Sequence, residues 1–74
     1  MDLLTFQTHL KENNNYSAFS NDEDLLIVQF SERLQKFVIE LNAKIIDSKK
    51  SLKSISEKAI NFINSRKLEF DPKY

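Results

Sequence analysis

The 74-residue chain has no glycine, cysteine or tryptophan, and only one proline, one methionine and one histidine. Each absence excludes something. Without cysteine there is no disulfide framework, a composition that fits a reducing compartment, and a single histidine gives a structural zinc site no ligand set. Without glycine there is no phosphate-cradling loop. Asparagine is therefore expected to supply whatever positive-φ positions the chain needs. The sequence contains no run of about 18 apolar residues, so no transmembrane helix is expected. Asp2 stands where a secretory signal would carry basic residues. The expectation is a soluble, cytoplasmic protein.

Hydrophobic residues make up 41% of the chain and charged residues 30%, a globular balance for one small domain spanning 1–74. So short a chain has a thin stability margin, because burial barely offsets about 1.5 kcal/mol of conformational entropy per ordered residue. With disulfides and metals excluded, regular helix packing and oligomerisation remain. The charges sum to zero but are sorted along the chain. Residues 1–32 hold six acids against Lys11, whereas residues 33–67 hold nine bases against Glu40, Asp47 and Glu57. This sorting suits a helix macrodipole. It also suits a basic patch near residues 44–53 that meets an anion or an acidic partner.

From Asp22 to Ile46 an apolar residue recurs every three or four positions: Ile27, Phe30, Leu34, Phe37, Leu41 and Ile45. That spacing predicts one long amphipathic helix. Ser20 and Glu23 have the spacing of a capping box at its start, and Asp22, Glu23 and Asp24 place acid at its positive end. Leu25, Leu26, Val28, Val38, Ile39 and Ile46 widen the apolar surface, which predicts neighbours on two sides. Upstream, residues 2–12 predict a short helix capped by Asp2 and ended by Asn13–Asn15. Downstream, the polar stretch 47–51 predicts a turn, and a last helix follows over about 51–68. Asp47, Ser48, Ser51 and Ser54 are all candidate caps, Ser54 with Glu57 repeating the capping-box spacing, and the helix presents Leu52, Ile55, Ala59, Phe62 and Ile63 on one face. Pro72 ends any helical continuation, leaving Phe70 and Tyr74 to fold back. The expected fold class is all-α: a short N-terminal helix, then a long helix and a third helix in an antiparallel hairpin, assembled as an oligomer. A continuous coiled-coil rod is the alternative.

No catalytic constellation stands out. His9 has no serine or cysteine placed for activation, and the acidic trio lacks the ligand alternation of a calcium loop. The protein is expected to be no enzyme and to need no cofactor and no metal. Duplex DNA binding is not expected of a neutral chain without a strongly basic recognition helix. The acidic N-terminal half argues against a membrane surface. Binding remains. Tyr16 and Phe19 lie in a polar connector before the long helix, where Phe19 suits a hydrophobic staple and Tyr16 a stacking contact with a base.

The segment Tyr16-Ser-Ala-Phe19-Ser20-Asn-Asp22-Glu23 resembles the opening of the long helix in the small helical phage proteins that sequester cyclic oligonucleotide signals of CBASS defence. Glu57, Ala59, Ile60, Phe62 and Asn64 are similar to that family's third helix. The resemblance implies a non-enzymatic phage anti-defence sponge, a homo-oligomer in the host cytosol that takes a cyclic di- or trinucleotide. Tyr16 would be the base-stacking aromatic, with the pockets between protomers, and Phe19 is a further candidate ligand-binding residue. The family's basic ligand contact falls on Ser31, with Arg33 and Lys36 close by as candidate substitutes. The alternative is a protein-binding inhibitor, such as an immunity protein, antitoxin or defence-enzyme blocker, acting through a helical surface.

Overall fold

A computed structural model of the chain describes residues 2–21 and 23–70. The elements are α1 (Leu3–Asn13), β1 (Asn15–Phe19), β2 (Leu25–Ser31), β3 (Lys36–Leu41), β4 (Lys44–Lys49), α2 (Leu52–Arg66) and β5 (Glu69–Phe70). The strands form one antiparallel sheet in the order β4-β3-β2-β1-β5. Strands β1 to β4 are a meander, and α2 then carries the chain back to set β5 beside β1.

The first and last expected helices exist, with α1 capped at Asp2 as expected and α2 capped at Ser51, one of four candidates. Asp2 accepts a hydrogen bond from the Thr5 N–H at 2.8 Å, and Asn14 closes α1 in the left-handed conformation at φ 62°. Ser51 caps α2 through the Ser54 N–H at 3.0 Å. Lys67 closes that helix at φ 55°, and the Leu68 N–H returns to the Ile63 carbonyl. Leu68 is itself buried, as the residue after such a cap usually is.

The expected long helix over Asp22–Ile46 does not exist, and the all-α hairpin and rod are both overturned. The segment holds β2, β3 and the first half of β4, joined by two tight turns. Direct pairing of Leu26 with Leu41, Val28 with Ile39 and Phe30 with Phe37 puts these six on the face that meets the helices. The spacing from Ile27 to Ile45 imitates a helix because apolar residues occupy both faces of the strands. This is also the cause of the apolar surface too wide for one helical stripe. Ser20 and Glu23 form no capping box. They close the β1–β2 turn, where the Ser20 N–H donates to the Asp24 carbonyl at 3.0 Å and the Glu23 N–H to the Ser20 carbonyl at 3.1 Å.

The turns work without glycine. Gln35 takes φ 55° in the β2–β3 loop, and Asn42 and Ala43 take φ 52° and 72° in a two-residue turn between β3 and β4. Among the described residues, left-handed positions fall on Asn14 and Asn42, as expected of asparagine, but also on Glu23, Gln35, Ala43 and Lys67. Asn42 also ties its turn to the start of β2. It accepts the Leu25 N–H at 2.9 Å and donates through its amide to Asp24 at 3.0 Å.

The core is one apolar layer between the helices and one face of the sheet. Phe6 and Leu10 of α1, Ile55, Ala59 and Ile63 of α2, and Tyr16, Ala18, Leu26, Val28 and Ile39 of the sheet are all buried there. Phe70 folds back as expected, pairing with Ala18. The expectations placed on Asp22, Pro72 and Tyr74 fall outside the described residues. Among the described residues no helix is long and apolar enough to cross a membrane.

Ala43 is a direct test of the hairpin. Its left-handed backbone costs an L-residue about 1 kcal/mol, a penalty that glycine escapes. Ala43→Gly should stabilise the protein by about 0.5–1 kcal/mol, read as a rise of a few degrees in the thermal midpoint. A fall in the midpoint, as a helix interior would give, contradicts the turn.

Candidate functional site

The helix-facing row of β2 is only partly covered. Leu26 and Val28 are fully buried, whereas Phe30, next in the same row, is 42% exposed. The reason lies in the lengths of the elements. α1 ends at Asn13 and α2 begins at Leu52, while β2 and β3 run on towards their turn. The gap is a cleft of about 430 Å³ lined by Leu10, Lys11, Asn14, Phe30, Phe37 and Leu52. Phe30 and Phe37 meet edge to face with ring centroids 5.2 Å apart, forming one aromatic wall. Leu10 and Leu52 add the ends of the two helices, and Lys11 supplies a cation at the rim. Lys49 lies directly opposite Phe37 in the sheet, and Lys50 and Lys53 are neighbours of Leu52 in the chain. Of the basic stretch foreseen near residues 44–53, the Lys49 end therefore adjoins an apolar recess, while Lys44 pairs with Leu41 at the other end of β4.

The residues singled out from the sequence are not gathered into one site. Tyr16 is 1% exposed, with ring centroids 4.5 Å from Phe6, 5.4 Å from His9 and 5.1 Å from Phe70. Its ring belongs to the core and is not presented to solvent. Burial pushes its hydroxyl above the ordinary tyrosine range. Phe19 lies at the opposite end of the sheet from Phe30, beside a small recess formed with Ser20, Asn21, Lys67 and Glu69. Arg33 is exposed in the β2–β3 turn. Lys36 pairs with Ser31, one position before the Phe37 row, so strand alternation sends it to the sheet face away from the helices. Ser31, the gapless match to the basic contact, accepts the Leu34 N–H within the turn.

Sequence reading missed Phe30 and Phe37 as a pair because a single helix separates them by almost two turns. The alternation Leu26, Val28, Phe30 and then Phe37, Ile39, Leu41 was the available signal. His9 packs edge-on against Phe70 at 4.6 Å and lies beside Asn13. Among the described residues, no group of three or more His, Asp and Glu side chains is placed to hold a metal ion. Asp24 meets Arg66 at 3.7 Å, a surface pair that fastens the β1–β2 turn to the end of α2 and contributes about 0–1 kcal/mol.

The raised Tyr16 hydroxyl has a consequence at high pH. Its stabilising contribution is complete below the unfolded tyrosine value near about 10 and is lost as pH rises through the higher folded value. Phenolate absorbance should therefore resolve a late-titrating component that disappears in Tyr16→Phe. A single titration near 10 in both proteins would contradict the burial of this ring. No family model matches the chain, and neither does any curated protein or solved structure.

Proposed function

We propose that the protein is a non-enzymatic binding protein that sequesters an anionic ligand with a flat apolar body, of nucleotide type, in the cleft at the end of the β2–β3 hairpin. The observation that carries this reading is the Phe30–Phe37 wall beside Lys11. An exposed aromatic surface takes a base whatever its identity, and a nearby cation neutralises its phosphate. The volume of about 430 Å³ is in the range of small-ligand sites. Lys49, opposite Phe37 in the sheet, adds a second cation near the aromatic wall, which suits a ligand with more than one phosphate. The reading keeps the cyclic-oligonucleotide class expected from the sequence but moves it away from Tyr16.

Native mass spectrometry with a mixture of cyclic di- and trinucleotides tests it. The protein should gain nucleotide mass in integral steps. Base–aromatic stacking contributes about 1–3 kcal/mol, so Phe30→Ala should weaken retention by about tenfold or more. Lys11→Glu should do the same with an added loss of salt dependence, and Tyr16→Phe should leave retention intact. No gain of nucleotide mass, or retention indifferent to both cleft substitutions, would overturn the proposal. A stoichiometric protein recovered in pull-downs and released by Phe30→Ala would instead assign the cleft to a partner's side chain, the inhibitor reading.

A further inference from the structure

The sheet has two unequal edges. β5, at one edge, is two residues long, whereas β4, at the other, is a six-residue strand with no strand on its outer side among the described residues. Its Ile45 is 47% exposed and Ile46 39% exposed. An apolar edge of this length is the kind of surface on which another strand adds.

The pairing of β4 with β3 shifts between Ile39 and Glu40. Ile39 faces Asp47 and Glu40 faces Ile45, so Ile46 is the extra residue of a bulge. The bulge changes which residues share a face. Lys44 and Asp47, three positions apart, would point oppositely in a regular strand. Here they are opposite Leu41 and Ile39, both on the helix-facing side of the sheet, while Ile45 lies opposite Glu40 on the other side. Read along β4, the outer edge carries cation, Ile, Ile, anion. Reversed, it carries anion, Ile, Ile, cation. The edge is thus self-complementary under a two-fold axis between Ile45 and Ile46.

We propose that a second copy of this chain pairs antiparallel along β4, placing Lys44 opposite the partner's Asp47 and Ile45 opposite the partner's Ile46. Each contact then occurs twice, as a two-fold axis requires. Lys44 as the facing charge also disfavours the register slipped by two residues, in which it would meet the partner's Lys49. One oxygen of Asp47 accepts the Ser48 N–H at 2.8 Å, which holds the carboxylate close to its own strand. The two sheets join into one of ten strands with all four helices on the same side, so both clefts stay open. The inference is independent of what the cleft binds.

Sedimentation equilibrium of the full chain tests the pairing. The wild type should dimerise reversibly. Lys44→Asp and Asp47→Lys each set like charges opposite one another twice, and each should raise the dissociation constant by about tenfold or more. The double variant carrying both substitutions should recover the dimer, and an equimolar mixture of the two single variants should form a heterodimer. That recovery cannot come from variants that have failed to fold. A wild type that stays monomeric at every concentration, or a dimer that ignores the single substitutions, would overturn the proposal. So would two single variants that fail to complement each other.

Discussion

The contact between Phe6 and Tyr16, 4.5 Å between ring centroids, joins the first helix to the strand that follows it, and most of the fold follows from it. Asn14 reverses the chain in a single left-handed residue, so α1 lies directly over the strand it leads into. With Phe6 and Leu10 committed to that face, α2 has one place left to bury Ile55, Ala59 and Ile63, alongside α1 on the same side. A chain of 74 residues has apolar side chains for one such layer only. The opposite face of the sheet is consequently mixed, with Ile27 and Val38 set among Ser17, Gln29, Lys36 and Glu40.

The cleft is where that layer ends. Phe30 and Phe37 continue the core row of β2 and β3, but neither helix extends far enough to cover them. Phe30 is left 42% exposed, continuous with the partly buried Phe37, so the apolar surface here is a patch and not a single side chain. The binding proposed for this protein rests on that open aromatic pair rimmed by lysine. The sorting of charge along the chain has its spatial counterpart here, because the basic β4–α2 connector runs past the same recess.

The two helices and the ends of α1 were legible because their signals are local, whereas the start of α2 was legible only as one of four candidate caps. Asp2 and Ser51 each lie three residues before an N–H they accept, and Asn14 follows directly on the last turn of α1. The sheet was hidden for two physical reasons. Its hairpins turn at Asn42-Ala43 and around Gln35, without the glycine or proline that usually marks such turns, so nothing interrupted the apolar rhythm. Its strands are also apolar on both faces in places, as at Leu25–Val28 and Phe37–Ile39, which erases simple alternation. The concentration of β-branched residues at Ile27, Val28, Val38, Ile39, Ile45 and Ile46 pointed to strands. Misreading the segment as helix also displaced the site. Tyr16 looked like a connector residue and is a core residue, and the aromatic pair that borders the cleft was separated on paper by the wrong geometry.

The most direct test of the cleft is residue-resolved amide chemical-shift mapping of the labelled protein titrated with a cyclic dinucleotide. The account predicts saturable changes confined to the cleft's three borders, at Leu10 to Asn14, at Phe30 and Phe37, and at Lys50 to Lys53. Changes centred instead on Ser17, Ile27, Gln29 and Glu40, on the far face of the sheet, would contradict it, as would a spectrum that does not change.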